Sequence, residues 1–254
     1  MTLDTSTLTV VAILFLATFI RSAFGFGEAL IAVPLLALVM PVEVAAPVAV
    51  LVSITVAAIV VAQDWRHVHF RSAGWLVLAS LVGTPLGLLM LTTVPETAVK
   101  SILAVIIMSF SAYSLFGKVT AALRDDKLAW LFGFLAGILG GAYGMNGPPL
   151  VIFGTLRGWS PQHFRATLQG YFLPASLMVL CGYWLTGLWT PTVTHHYLIG
   201  LPAVLAAVFL GRAVNQRMTG RSFLLFVHAG LVLVGGMLLY QALSKVGGVA
   251  QISR

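Results

Sequence analysis

Runs of about 20 largely apolar residues recur from one end of this chain to the other, each long enough to cross a hydrocarbon core of about 30 Å at about 1.5 Å of rise per residue. They leave no room for a soluble domain. The 254 residues are 59% hydrophobic and 8% charged, against roughly 25% charged in an ordinary soluble domain. A backbone inside lipid must satisfy its own hydrogen bonds, so apolar runs of this length become helices. The expected fold class is all-α, a polytopic membrane helical bundle.

The clear single spans are Pro47 to Val61, Ala73 to Leu91, Ala98 to Phe116, Ala166 to Thr186, Tyr197 to Val214 and Ser222 to Leu243, bounded by polar or Pro/Gly segments. Two apolar stretches depart from this pattern. Leu8 to Met40 is too long for one pass and is interrupted at Phe24, Gly25, Phe26, Gly27 and Glu28. Leu128 to Phe153 is interrupted at Gly140, Gly141, Gly144, Asn146, Gly147, Pro148 and Pro149.

Lys and Arg positions set the orientation, because short cytoplasmic loops hold an excess of them. Arg66 and Arg71, then Lys118, Arg124 and Lys127, then Arg157 and Arg165, then Arg212, Arg217 and Arg221 mark four inner loops. The loops around Pro95 and from Gly187 to His196 hold no Lys or Arg, although Lys100 lies just past the first, and are placed outside, as are both termini. Leu8 to Met40 must then enter and leave on the outer side, and Leu128 to Phe153 on the inner side. Each reads as a hairpin of two short helices, either re-entrant or crossing as tilted arms.

Both halves continue alike after their hairpins, through a Pro-started loop (Pro41; Pro161), a span, a loop, a span with a late glycine (Gly87; Gly211) and a last span. Corresponding loops carry opposite charge, so the reading is two inverted repeats, each a broken-helix hairpin followed by three spans. Residues 1–117 form the first repeat, 118–127 a cytoplasmic linker, 128–245 the second repeat and 246–254 a C-terminal tail. Inverted repeats with discontinuous helices recur among secondary transporters, with the site where the breaks meet.

A helix broken inside lipid leaves backbone groups that protein, water or ligand must satisfy, and glycine exposes that backbone to a ligand. A half-helix N-terminus favours an anion. Gly25, Phe26 and Gly27 at the first break and Gly144, Asn146 and Gly147 at the second are therefore candidate substrate contacts; close helix packing through small residues is the competing role for the glycines. Arg21, four residues before Gly25, is an expensive intramembrane cation whose planar fork suits carboxylate, sulfonate or phosphate oxygens. An ion pair with Glu28 is its alternative use. Glu28 is also a candidate proton-coupling group, since a buried carboxyl can titrate in a useful range. Arg165 and Gln169, one turn apart, open the span after the second hairpin and could face its break.

Other chemistry finds less support. The net charge of +7 is explained by inner loops, and no basic stretch interleaves with aromatics as a nucleic-acid partner would need. No nucleophile, metal set or acidic cluster is legible, so no catalytic residue, metal or cofactor is expected; a cation or metal permease, and a membrane enzyme or assembly factor, are the weaker alternatives. His67 with His69, and His195 with His196, read as interfacial, and Trp65, Trp75, Trp159, Trp184 and Trp189 as an interface belt. Cys181, the single cysteine, reads as a small packed side chain. The start from Met1 to Thr7 lacks the basic region of a cleaved signal peptide, so the first apolar run is expected to remain in the mature protein.

Phe24-Gly25-Phe26-Gly27 followed by Pro34-Leu35, then Gly83-Thr84-Pro85-Leu86-Gly87, then Gly140-Gly141-Ala142-Tyr143-Gly144-Met145-Asn146-Gly147-Pro148-Pro149-Leu150 together resemble the TauE/SafE family of sulfite-exporter-like membrane permeases, over essentially the whole chain. The resemblance implies a multi-pass permease of the bacterial inner membrane whose partners are a small anion, often sulfite or an organosulfonate such as sulfoacetate, and the lipid bilayer; a homodimer is one state compatible with it. The chain departs from the pattern at the tips: Glu28 stands where a further glycine is common, and Asn146 with Pro148-Pro149 where a glycine run is common.

Overall fold

The computed structural model describes residues 5–24, 26–64, 70–116, 123, 126–159 and 161–215, with positions 232, 236, 237, 239, 240 and 244. Among these the chain forms nine helices and no strand: α1 (Thr5–Phe24), α2 (Glu28–Ala37), α3 (Val42–Asp64), α4 (Phe70–Thr93), α5 (Glu96–Phe116), α6 (Ala129–Tyr143), α7 (Gly147–Leu156), α8 (Pro161–Leu185) and α9 (Pro191–Asn215). Six of them, α1, α3, α4, α5, α8 and α9, are long and apolar enough to cross a membrane. The chain is a multi-pass membrane protein. The span expected from Ser222 to Leu243 falls almost wholly outside the described residues.

Both expected hairpins are present, but their arms are unequal. Ten-residue α2 and α7 rise about 15 Å each, half the hydrocarbon thickness. α6 has 15 residues and α1 has 20, so α1 is not the short arm expected but long enough to span. Among the residues of α2 all but Ala29 and Leu35 are buried, which makes α2 an interior element. The two outer ends of the α6–α7 hairpin come together: the Leu123 N–H donates to the Leu156 carbonyl at 2.8 Å, and Arg157 pairs with Asp126 at 3.1 Å. Ser72 at the start of α4 also donates to Asp126, at 3.1 Å. Three of the basic loops thus meet at one end of the bundle, as loops on one side of a membrane must.

Glycine decides how the long helices pair. Gly133, Gly137 and Gly141 recur every four residues along α6 and lie against Leu76, Ser80 and Thr84 of α4. From the other side, Gly83 and Gly87 lie against Phe134, Ile138 and Ala142 of α6. A methyl group at Gly141 would sit 2.3 Å from the Thr84 carbonyl oxygen, and one at Gly87 2.1 Å from that of Ile138. Small residues at this spacing let two parallel backbones approach closely, which is how helices associate in lipid, where no hydrophobic effect drives them together. Gly141, expected within the break, is therefore a packing residue inside α6, and Gly140 is helical too.

α1 and α9 pair in the same parallel sense. Gly200 meets Leu14, and Gly211 meets Phe19, Ser22 and Ala23. Between these two pairs runs α3, two-thirds of whose span is buried, packed against α8 and α9. Its Ala45, Ala46, Ala49, Val52 and Val56 are all buried. The exterior is apolar: α4 presents Leu78, Leu81, Val82, Leu86 and Leu89 outward, a surface suited to lipid and not to water. Cys181 is exposed on α8, not packed as expected; a small apolar side chain at a lipid-facing position is no burden there. Trp75, Trp184 and Trp189 are exposed near helix ends, whereas Trp159 packs edge-on against Phe153. His195 and His196 sit in the first turns of α9, so the preceding loop is shorter than expected; His67, His69 and Trp65 lie outside the described residues.

Candidate functional site

The two breaks meet around one cavity. It is lined from the first break by Phe26, Gly27 and Glu28, from the second by Gly144, Met145, Asn146, Gly147 and Pro148, and by Arg21, Ser53 and Phe172 from α1, α3 and α8. Its enclosed space is about 20 Å³, room for little more than a water-sized group, and it is open at its mouth. Of the sequence-derived candidates, Arg21, Phe26, Gly27, Glu28, Gly144, Asn146 and Gly147 all line it. Gln169 joins them through Arg21. Gly25 and the side chain of Arg165 lie outside the described residues.

The break conformations follow from the residues in them. Gly27 has φ of 100° and Gly144 φ of 64°, left-handed values that an L side chain rarely adopts. Gly144 closes α6, its N–H bonding back to the Gly140 carbonyl and that of Met145 to Leu139, a glycine-terminated helix end. α7 then begins with Gly147, Pro148 and Pro149. Proline has no N–H, so two of the donors that a helix start ordinarily offers an anion are absent there. Gly147 faces open space, with nothing within 4 Å of a methyl group built on it.

Arg21 is 3% exposed and ties four helices together. Its Nη1 donates to Glu28 Oε2 of α2 and, at 2.8 Å, to Ser53 Oγ of α3; its Nη2 donates to Gln169 Oε1 of α8 at 2.8 Å. The guanidinium also lies 5.1 Å from the centre of the Phe172 ring, within reach of a cation–π attraction. Ser176 donates to Ser53 at 3.4 Å, extending the network along α8. Glu28 is 2% exposed and occupies the first turn of α2, where the helix dipole favours its negative charge. The ion pair considered as an alternative for Arg21 is thus formed, and formed at the cavity wall. It does not saturate either partner: Arg21 Nε and Glu28 Oε1 are buried without a hydrogen-bond partner.

The second break is held by neutral groups. Asn146 Nδ2 donates to the Tyr171 hydroxyl at 3.5 Å, the Tyr183 hydroxyl donates to the Gly140 carbonyl at 3.3 Å, and that of Tyr143 to the Val99 carbonyl at 2.9 Å. A methyl on Gly140 would come within 2.6 Å of Asn146 Nδ2, so this glycine makes room for the asparagine side chain. The residues missed by sequence reasoning are Ser53, Tyr171, Phe172 and Ser176. Their signal was faint: isolated hydroxyls and one aromatic inside apolar spans. Among the described residues no group of three or more His, Cys, Asp or Glu is placed to hold a metal ion.

Arg21, paired with Glu28, therefore stands in the wall of a cavity bounded by the two backbone turns. The chain is 24% identical over 244 residues to the probable sulfite/organosulfonate exporter TauE of Cupriavidus necator, covering 92% of this chain and 93% of that protein. No solved structure matches it significantly. Residues 10–238 match the family model described as sulfite exporter TauE/SafE, and the chain belongs to that family as a membrane transporter, not an enzyme.

Proposed function

We propose that the protein carries a small anion, sulfite or an organosulfonate such as sulfoacetate, across the bacterial inner membrane, binding it between the two breaks at Arg21. The observation that carries this reading is the position of Arg21. A buried arginine in a membrane span is costly and is retained where it serves a pathway or a ligand, and this one lines the cavity where both breaks converge. Gly27 and Gly147 leave backbone open beside it, Asn146 adds a neutral donor, and Gln169 holds the far side of the guanidinium. Glu28 is the candidate coupling group. The relative's printed cargo, sulfite or organosulfonate, is a class of oxyanion that suits the arginine fork. Arg165 and Gly25 belong to the same proposed site by their place in the sequence.

We read the halves as inverted repeats with both termini on the periplasmic side. Support comes from register. Gly87 meets Ile138 and Ala142, which precede Gly144 by six and two residues; Gly211 meets Phe19 and Ala23, which precede Gly25 by six and two. The fourth helix of each half thus packs on the first helix of the other at equivalent positions, as a two-fold relation requires. Alternating access would follow from rocking of one half against the other around the breaks.

The test is transport. Purified protein in liposomes should move sulfite or sulfoacetate under an imposed pH gradient, and Arg21→Ala should abolish it while the protein still folds. Failure to move any of a panel of small sulfur oxyanions and carboxylates would sink the reading, and unchanged affinity in Arg21→Ala would remove Arg21 from the site.

A further inference from the structure

Arg21 is already engaged. Its Nη1 donates to both Glu28 Oε2 and Ser53 Oγ, and its Nη2 donates to Gln169 Oε1. Nε has no partner but is buried, so it is not open to an arriving ligand. The enclosed space beside this network is about 20 Å³, room for about one water and not for a sulfur oxyanion. An anion that reaches Arg21 must take the place of something.

Of the groups on Arg21, Glu28 is the one suited to leave. Among the described residues its carboxylate is held by Arg21 alone, through Oε2, while Oε1 has no partner. Arg21 in turn keeps Ser53, Gln169 and the Phe172 ring when that contact breaks, so the guanidinium stays in place for a new ligand. Glu28 also directly follows Gly27, where even an added methyl would have nothing nearer than Ile20 at 4.0 Å; the first turn of α2 has room to shift. The carboxylate presents to the arginine what a sulfonate or sulfite would, a negative oxygen on a small oxygen-bearing centre. Arg165, one turn before Gln169 in the sequence, would add charge to this site without vacating Nη1 of Arg21.

We propose that Glu28 is an internal stand-in for the cargo: its carboxylate occupies Arg21 while the site is empty, and the anion binds by exchanging with it. This rests on the anion reading above and adds what the anion displaces. No covalent bond forms or breaks. The guanidinium passes from one oxyanion to another and is not left unpaired in the membrane interior, where a lone charge is costly. The released carboxylate has the open mouth of the cavity it lines to turn into. Competition of this kind weakens every anion by the same factor, the fraction of protein in which Arg21 is vacant. Glu28 thereby sets a threshold that a weakly held anion does not pass.

Two measurements on the purified full chain test this. The first is calorimetric titration with methanesulfonate and 2-hydroxyethanesulfonate, comparing the native protein with Glu28→Gln, whose amide matches the carboxylate in size and adds no space. Both sulfonates should bind the variant at least about tenfold more tightly, the scale of one charge-assisted hydrogen bond that no longer has to be broken, and by the same factor. The second does not depend on a Glu28 variant that folds: infrared difference spectra of the protein carrying isotope-labelled glutamate, with and without saturating methanesulfonate. Glu28, Glu43 and Glu96 are the glutamates of the chain, so a shift of the labelled carboxylate band that persists in Glu43→Gln and in Glu96→Gln belongs to Glu28. That shift is expected. Binding to the native protein without it would overturn the exchange and leave the anion site standing, as would equal affinities in the native protein and Glu28→Gln. Absence of binding by both probes to both proteins would overturn the anion site and this proposal with it.

Discussion

Among the described residues the first break is charged and the second is not, although both are glycine turns on one cavity. At the first, Arg21 and Glu28 form a buried ion pair braced by Ser53 and Gln169. At the second, the fixed contacts are an asparagine amide, tyrosine hydroxyls and the carbonyls of Gly140 and Val99, and α7 starts on two prolines. The two halves therefore use similar backbones for different work. On the proposed reading, Arg21 gives a ligand's charge a place to go, and the neutral groups described at the second break supply shape and weak polar contact.

The sharpest way to break this contrast is to remove the charge. Arg21→Ala should lower anion binding by at least about 100-fold, read by uptake or titration. It should also destabilise the fold by about 3–5 kcal/mol, the scale of stranding one member of a buried pair. Replacing both members, Arg21→Met with Glu28→Leu, should recover most of the thermal stability and none of the binding. Recovery of binding in the double variant would mean that the second break, not the first, holds the anion.

The next effect tests the second side as scaffold. Gly141→Ala places a methyl against the Thr84 carbonyl oxygen at 2.3 Å and Leu88 N at 2.9 Å, backbone atoms that cannot turn aside. Overpacking of this kind should cost about 3 kcal/mol, seen as a lower midpoint in thermal unfolding in detergent, with anion affinity in the surviving folded protein close to native. Below it in size, Asn146→Ala removes one neutral hydrogen bond of about 1 kcal/mol. It should weaken anion affinity by about fivefold. A loss as large as that of Arg21→Ala would erase the distinction between the two breaks.

Much of this architecture was legible in the sequence because hydropathy over 20 residues is a strong signal and because Gly, Asn and Pro interrupt it in two places. Helix ends were less so. α3 begins at Val42, α8 at Pro161 and α9 at Pro191, ahead of their apolar windows, because a helix continues into the interface where polar residues are tolerated. Gly140 and Gly141 were assigned to the break although they are helical: composition does not tell a glycine that frees a backbone from one that lets another helix approach. At the site, Arg21, Glu28, Gln169 and Asn146 stood out as polar residues in apolar surroundings. Ser53 and Phe172 did not, since their role comes from tertiary contact with Arg21, 32 and 151 positions away in the chain.

The same ambiguity of glycine gives the smallest and most discriminating prediction. Gly147 stands six residues after Gly141, yet a methyl there meets nothing within 4 Å, and its backbone is not left-handed. Gly147→Ala should therefore leave thermal stability within about 0.5 kcal/mol of native, where Gly141→Ala loses several times that. Because the methyl would project from a residue that lines the cavity, its effect should fall on the ligand instead. A larger sulfonate such as 2-hydroxyethanesulfonate should lose about threefold in affinity, and methanesulfonate less, measured by the same titration. A drop in stability matching Gly141→Ala would show that Gly147 packs against protein, and the second break would then offer the ligand a closed wall in place of open backbone.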